Sequence, residues 1–170
     1  MTDLIIDVEA DGPAPGLYSM VCFGAVVCDG TFNKTFYGQT RPITSDFIPE
    51  ALAVSGFTRA QHEQFAEPSE TLWKFHEWLK DLNDRVTMWS DNPAFDWMFI
   101  NYYLHRYVGE NVMGWSARRI GDVYCGHMGN LRARWKNKLR KTVHDHNPVN
   151  DAKGNAEALW TIKKMLTNKS

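Results

Sequence analysis

The sequence predicts an α/β fold, in which a mixed five-stranded sheet led by an antiparallel meander carries helices on both faces. Up to residue 41 the chain alternates β-prone runs with turn residues, which indicates the meander. Beyond it, short β-prone runs alternate with stretches whose apolar residues recur at helical spacing, as in helices that pack on a sheet. With 170 residues, 44% of them hydrophobic, the chain can bury a core, and we expect one domain over residues 1–170.

The leading strand, residues 4–9, places two acids in an apolar run. Side chains alternate along a strand, so Asp7 and Glu9 point the same way, about 7 Å apart. Two carboxylates on one half-buried face repel each other and lose hydration, and a divalent metal ion is the usual resolution. From this stretch alone, an exposed strand end whose acids face water explains the pattern equally well.

The meander continues with two more strands, residues 17–28 and 33–41, after a loop over residues 10–16. The dipeptide Asp29-Gly30 between these strands is a hairpin signal. A short helix is expected over residues 49–55 and a longer one over residues 69–84, with Ser69 as its N-cap.

A short strand over residues 86–90 runs into the next predicted helix, residues 93–108, for which Pro93 suits the first position and Asn92 or Asp91 the cap. This helix is apolar on almost every side, so it should be buried. Asp96 lies in its first turn among aromatic residues. The helix dipole, worth about 0.3–1 kcal/mol, could alone explain a single acid there, but the aromatic surroundings leave little water for a carboxylate and favour a functional role.

Three further elements complete the sequence-based assignment. Residues 118–123 are expected to form a strand, and residues 131–141 an amphipathic helix with a basic outer surface. Such a surface is either solvated or a binding surface for phosphate. A last helix is expected to begin around Asp151, with Asn150 as its cap.

Composition narrows the functional classes. The aromatic content of 13% excludes a disordered chain, and the net charge of −1 provides no global attraction for nucleic acid, so any attraction must be local. The short apolar run at the N-terminus ends in acids, so we expect no secretion signal and no membrane span. Three cysteines without metal-finger spacing, Cys22, Cys28 and Cys125, predict reduced thiols in a cytoplasmic protein.

Three separated motifs together resemble those of the DEDD exonucleases of the ribonuclease H-like superfamily, in the subgroup whose fifth residue is histidine. In chain order they are Asp7-Val8-Glu9, Asn92-Pro93-Ala94-Phe95-Asp96 and His146 through Asp151. Each motif alone is weak, but all three in the family's order and on the expected elements are strong.

The resemblance implies metal-dependent cleavage of phosphodiester bonds with two Mg²⁺ or Mn²⁺ ions. Asp7 would bridge both ions, Glu9 and Asp151 would hold the one that activates water, and Asp96 would help to hold the second. His146 would accept the proton of the water, because histidine titrates near neutral pH. His144 is the rival, but only His146 has the family's spacing to Asp151.

The resemblance also implies contacts to the last nucleotide of the substrate. Phe57 would stack on the 3′ base, with core packing as the alternative reading, and Ala10, Thr58 and Asn92 would line the same site. Two departures bear on specificity: Ala10 stands where the family often has threonine, and Pro148 where many members have alanine.

We therefore expect a 3′-5′ exonuclease that releases nucleoside 5′-monophosphates from single-stranded nucleic acid. RNA is preferred because the chain is short and carries no polymerase or partner domain, which is an argument from analogy. Single-stranded DNA and a catalytically silent nucleic-acid-binding relative are the alternatives. Small members of the family often pair, so a homodimer is expected.

Overall fold

The computed structural model describes residues 1–168 and contains a five-stranded mixed sheet. Its strands are β1 (Thr2–Ala10), β2 (Met20–Val27), β3 (Thr35–Gln39), β4 (Val86–Ser90) and β5 (Ala117–Arg119). The spatial order is β3-β2-β1-β4-β5. The first three strands form an antiparallel meander, while β4 and β5 run parallel to β1. The predicted fold class is confirmed.

Helices cover both faces of this sheet. They are α1 (Pro49–Val54), α2 (Arg59–His62), α3 (Pro68–Asp81), α4 (Pro93–Tyr107), α5 (Ile120–Met128), α6 (Lys136–Leu139) and α7 (Pro148–Thr167). Leu4, Ile6 and Val8 of β1 pack with α3 and α4, while Ile5 packs with α5 and α7. Because side chains alternate along the strand, Asp7 and Glu9 share the α7 side with Ile5. Within residues 1–168, no helix is long and apolar enough to cross a membrane.

Two predicted helix starts differ from the structure, one by a single residue and the other by about three. The predicted helix of residues 69–84 begins at Pro68, and Ser69 lies inside it rather than at its cap. The last helix begins at Pro148 rather than near Asp151, and Asn147 caps it by accepting hydrogen bonds from the backbone N–H groups of residues 149 and 150. In both cases a proline occupies the first position, where its missing N–H costs nothing.

Two other predicted elements are shorter than expected. The strand of residues 118–123 is only β5, which pairs with three residues of β4 before Ile120 turns inward and begins α5. The basic helix of residues 131–141 is reduced to the single turn of α6, and Leu131 is 93% exposed. The cations of that stretch recur at i,i+4 spacing, so a continuous helix would stack like charges along its surface.

The N-terminus of α7 lies directly against the sheet at Gly24. This residue pairs with Asp7 across the β1–β2 ladder. A Cβ atom on Gly24 would lie 2.4 Å from the Pro148 carbonyl carbon and 2.4 Å from the Val149 nitrogen. The helix therefore approaches β1 closely enough to bring Asp151 towards Asp7 only because position 24 has no side chain.

Gly24→Ala should force α7 away from the sheet. We expect a loss of about 1–3 kcal/mol in the free energy of unfolding, as for other overpacked sites, together with weaker Mn²⁺ binding at the predicted metal site. Urea unfolding and titration calorimetry measure the two effects. Gly126→Ala is the matched control, because position 126 is exposed in α5 and a Cβ atom added there would meet nothing within 4 Å. An equal response of the two variants would contradict the packing argument.

Candidate active site

The four acids predicted from sequence meet at the carboxyl end of β1. Two groups consist of acids alone: Asp7, Glu9 and Asp151 form one, and Asp7, Asp91 and Asp96 the other, while Asp151 also forms a mixed group with His144 and His146. Within each group of acids, one carboxylate oxygen per residue lies within 4.8 Å of the others. Asp7 belongs to both groups, which is the arrangement expected of a residue that bridges two metal ions. Asp91 is an addition that the sequence reading assigned only to a helix cap.

Asp96 is held by two hydrogen bonds in the first turn of α4. Its Oδ1 accepts from the Val8 backbone N–H at 3.1 Å, and its Oδ2 accepts from the Ser90 hydroxyl. The β1–β4 ladder ends at Ile5 and Trp89, so the carboxylate takes the place of a strand partner for Val8. Asp96 is 3% exposed, and these bonds aim it at the end of β1.

Ser90 has a second role at the start of the same helix. Its Oγ accepts from the Asn92 backbone N–H at 2.8 Å, while the Asn92 side chain makes no capping bond. Asn92 therefore occupies the predicted cap position, but its side chain does not cap the helix. Asp91 is occupied instead by an ion pair with Lys136.

Asp151 is fully buried in the first turn of α7. Its Oδ1 lies 2.8 Å from Arg140 Nη2 and 2.6 Å from His144 Nδ1. Its Oδ2 accepts from the His146 backbone N–H at 3.1 Å. Two hydrogen-bond donors, Arg140 and the His146 N–H, and the contact with the His144 ring therefore fix this carboxylate, and all three come from the segment that precedes α7.

Arg140 reaches Asp151 across the surface of α7. A Cβ atom on Gly154 would lie 2.6 Å from Arg140 Nε, so the guanidinium occupies the space left by the absent side chain. Its Nη1 also donates to Asn155 Oδ1 at 3.1 Å. The sequence reading placed Arg140 on a basic helix surface and missed this contact, because nothing in the local pattern links it to a residue eleven positions later.

The two histidines lie side by side near the acids. His146 Nδ1 is 3.5 Å from Glu9 Oε1, and the ring centroids of His144 and His146 are 4.5 Å apart. His146 adopts a left-handed backbone conformation with φ of 60°. Asp145 braces the loop by accepting hydrogen bonds from the Asn147 N–H and the Asn150 side chain at 3.0 and 2.8 Å.

The predicted substrate residues lie near different acids of the site: Ala10 and Phe57 near Glu9, and Asn92 next to Asp91. Ala10 directly follows Glu9 at a β-bulge and is buried, while Asn92 is exposed beside Asp91. Phe57 is partly buried in a small apolar cluster that includes Cys22, the residue paired with Glu9, and it meets Phe65 edge to face at 4.9 Å. This packing supports the core reading that the sequence left open.

Thr58 has a local structural role. Its side chain accepts from the Gln61 backbone N–H, and the Gln61 side chain accepts from the Thr58 N–H, which is a complete capping box at the start of α2. The residue is exposed, so its hydroxyl lies at the surface next to Phe57.

Burial and mutual repulsion perturb the acids strongly. Burial, followed by repulsion from Asp96, Asp151 and Glu9, raises the pKa of Asp7 well above its usual range. Burial and repulsion from Asp151 raise the pKa of Glu9 to about 7. Burial also raises the pKa of Asp96 to about 8, although the hydrogen bond from Ser90 acts in the opposite direction.

This donor set fits a pair of hard divalent cations. Carboxylate oxygens are the ligands that Mg²⁺ and Mn²⁺ prefer. Within residues 1–168, Asp7 has no cationic side chain as a partner, whereas Asp91 has Lys136 and Asp151 has Arg140. Asp96 likewise has no salt bridge among these residues and accepts only from neutral donors. The charges of Asp7 and Asp96 are therefore the ones that the described residues leave unpaired, and bound cations would balance them.

Comparison with known proteins identifies the family. The sequence profile of the family described as 3′-5′ exoribonuclease Rv2179c-like domain matches residues 2–163. The chain belongs to this family. It is also 34% identical over 174 residues to the 3′-5′ DNA exonuclease Cap18 of Escherichia coli, with 96% of this chain and 92% of Cap18 covered. The predicted membership of the DEDD exonucleases is confirmed, and the protein is a 3′-5′ exonuclease.

Solved structures of nucleases share the fold of this Rv2179c-like chain. The cell-death related nuclease CRN-4 superposes with a TM-score of 0.78 at 14% identity, and E. coli Exonuclease I in complex with a dT13 oligonucleotide with 0.75 at 16%. A zinc-bound complex of Exonuclease I with single-stranded DNA gives 0.67 at 17%. The superpositions cover 96–99% of this chain but only 64% of CRN-4 and 41–42% of the Exonuclease I chains. At these identities the likeness establishes the ribonuclease H-like fold.

The raised pKa values make a prediction about stability without metal. Unfolded carboxyls titrate near pH 4, whereas in the folded state the pKa values of Glu9 and Asp96 are raised to about 7 and about 8. The folded protein then binds more protons than the unfolded chain, so in chelator its melting temperature should fall as the pH rises from about 5 to about 8. Thermal unfolding followed by circular dichroism measures this fall.

Two controls belong to the same measurement. Saturating Mn²⁺ should remove most of the fall, because cations offset the repulsion. Asp7→Asn should flatten it in chelator, because the charge shared by both groups is gone. A melting temperature that rises with pH in chelator would contradict the assigned electrostatics.

Proposed function

We propose that the protein is a two-metal 3′-5′ exonuclease that releases nucleoside 5′-monophosphates from the 3′ end of single-stranded nucleic acid, with RNA as the first candidate substrate. The main observation behind the proposal is the position of Asp7 at the end of β1. Its carboxylate belongs both to the cluster with Glu9 and Asp151 and to the cluster with Asp91 and Asp96. Family membership supplies the direction of cleavage.

The metal ligands follow from the two groups. Asp7, Glu9 and Asp151 would hold one ion, and Asp7 and Asp96 the other, with Asp91 beside the second. Such ions, when bound, lower the pKa of a bound water and neutralise charge on the phosphate. Mg²⁺ and Mn²⁺ are the proposed ions, because every donor in the two groups is a carboxylate.

The histidines divide the remaining work. His146 is the proposed general base, since its side chain is about half exposed and lies next to Glu9, where it can take a proton from the attacking water. His144 contacts Asp151 Oδ1 and is proposed to hold that carboxylate in place. Because Asp151 also accepts the His146 N–H, it links both histidines to the metal ligands.

The terminal nucleotide is proposed to lie near Ala10, Phe57, Thr58 and Asn92. Phe57 packs against the cluster that contains Cys22, the residue paired with Glu9, and it is only partly buried, which leaves part of the residue available for an apolar contact with the last base. Thr58 adds an exposed hydroxyl beside it.

Two observations bear on the sugar of the substrate. The description of the family as exoribonuclease supports RNA. The second candidate is single-stranded DNA, which the similarity to Cap18 favours because that relative is a DNA exonuclease and is matched over almost its whole length. A contact to the 2′-hydroxyl would distinguish RNA from DNA.

Incubation of 5′-labelled RNA and DNA oligomers of one sequence tests the function. With Mn²⁺ or Mg²⁺ we expect products that shorten from the 3′ end together with free mononucleotides, and no cleavage in chelator. Asp7→Asn should abolish cleavage, because it removes the shared ligand.

Asp3→Asn is the matched control for that assay. Asp3 lies on the same strand and binds Trp89 Nε1 and Lys163 away from the site, so cleavage should persist. Wild-type protein that binds oligomers but cleaves none of them would support the catalytically silent alternative. Whichever of the RNA and DNA oligomers is cleaved faster shows whether the enzyme prefers ribose or deoxyribose in its substrate.

His146→Ala should lower kcat by about 10²–10⁴-fold, as expected for the loss of a general base, while Mn²⁺ binding is retained. His144→Ala should cost less in kcat and more in Mn²⁺ affinity, because its side chain contacts a metal ligand. Single-turnover kinetics and titration calorimetry separate the two effects. If His144→Ala gives the larger loss in kcat, the base is His144.

Three further expectations stay predictions. They are a single domain over residues 1–170, a homodimer, and a cytoplasmic location inferred from the cysteine content. Exposed apolar side chains such as Trp115, at 97%, are available for a subunit contact, and light scattering measures the mass in solution.

A further inference from the structure

A basic cleft of about 650 Å³ lies between α5 and the segment that contains α6. Five cationic side chains line it: Arg119, Arg132, Arg134, Lys136 and Lys138. The acid in its lining is Asp122, which pairs with Arg119 at 3.2 Å. The cleft is therefore strongly positive in a chain whose net charge is −1.

The shape of the basic cleft is fixed although its wall contains a single helical turn. Trp135 is 5% exposed and packs into the core with Ile120 and Tyr124. Cys125 Sγ lies 3.4 and 3.5 Å from the carbonyl oxygens of Leu131 and Ala133. These contacts anchor the wall and leave its charged side chains exposed.

The basic cleft lies next to the cluster of Asp7, Asp91 and Asp96. Lys136 forms an ion pair with Asp91, and Arg119 Nε donates to the Asp91 carbonyl oxygen at 3.0 Å. Asp91 in turn lies within 4.8 Å of Asp7 and Asp96 through its carboxylate. A ligand in the basic cleft would therefore continue directly into the active site.

Most of the charge in the basic cleft is not balanced within the protein. Residues 131–141 contain six cations and no acid. Among residues 1–168, no carboxylate forms a salt bridge with Arg132, Arg134 or Lys138. Like charges held this close repel one another, so an anionic ligand with several charges would be bound favourably.

We propose that the basic cleft binds the phosphodiester backbone of the substrate strand on the 5′ side of the cleaved nucleotide. This inference rests on the proposed function, because a 3′-5′ exonuclease holds the last nucleotide at the metal ligands and must direct the rest of the strand elsewhere. Consecutive phosphates match a row of separate cations, and Leu131, 93% exposed in the lining, offers an apolar surface for a base.

The test measures binding of a long strand to a charge-reversed cleft. The variant is Arg134→Glu combined with Lys138→Glu, which changes two exposed cations and leaves Lys136 and Arg140 in place. Fluorescence anisotropy with a labelled oligomer of about 10 nucleotides, within the range of single-strand sites, is measured in Ca²⁺. The affinity for the oligomer should fall at least about tenfold. The slope of log K against log salt is negative, and it should become less negative by about 0.7 for each lost phosphate contact.

Lys34→Glu is the matched control. Lys34 is exposed on the β2–β3 hairpin, at the end of the sheet opposite Glu9. A single charge reversal there, half the charge change of the double variant, should leave affinity and salt slope unchanged. Arg134→Gln with Lys138→Gln is the second variant, which should lose affinity in the same direction with a smaller perturbation of the fold. Circular dichroism checks that each variant is folded.

Cleavage kinetics separate this inference from the proposed function. In the double Glu variant, kcat/KM for the long oligomer should fall because KM rises. The fall should be much larger than for a dinucleotide, because a dinucleotide is too short to reach the basic cleft. The proposed role of the basic cleft would be wrong if the double Glu variant lost the same factor in kcat/KM for both substrates. It would also be wrong if that variant bound the long oligomer with wild-type affinity. Wild-type protein that binds the long oligomer in the basic cleft but releases no mononucleotide would overturn only the proposed function.

Discussion

Repulsion among buried carboxylates at the end of β1 is the constraint that the surrounding structure satisfies. The acids are positioned by different interactions. Strand alternation places Asp7 and Glu9 on one face, and the Val8 N–H and the Ser90 hydroxyl donate to Asp96. Arg140 and the His146 N–H donate to Asp151. None of these interactions neutralises the negative charge of Asp7. The fold thus fixes the positions of the charges and leaves their centre for cations to balance.

The cationic side chains are arranged around this centre rather than in it. Lys136 pairs with Asp91 on one flank and Arg140 with Asp151 on the other, so the segment that carries both runs between the two carboxylate groups. This arrangement reduces the cost of burying the outer acids. It also places positive potential where a polyanionic strand would approach, which links the stability of the site to its affinity for substrate.

The sequence predicted the parts of the site that depend on local periodicity. Strand alternation placed Asp7 and Glu9 on one face, and an acid in the first turn of an aromatic helix marked Asp96. It failed where a contact joins distant segments or competes with local preference. Asn92 holds the predicted cap position without a capping side-chain bond, while the Ser90 hydroxyl bonds both Asp96 and the Asn92 N–H. Residues 131–141 do not form the predicted helix, because charge repulsion and the anchoring of Trp135 outweigh the apolar spacing.

The contact between Arg140 and Gly154 joins two positions that are otherwise unrelated. The guanidinium fills the space above the helix where a methyl group would stand, so a larger residue at 154 would displace it and disturb its contact with Asp151. Conversely, a chain without arginine at 140 has no need of glycine at 154 and would benefit from a better helix former there. The two positions are therefore expected to covary among relatives, with a small residue at 154 accompanying arginine at 140.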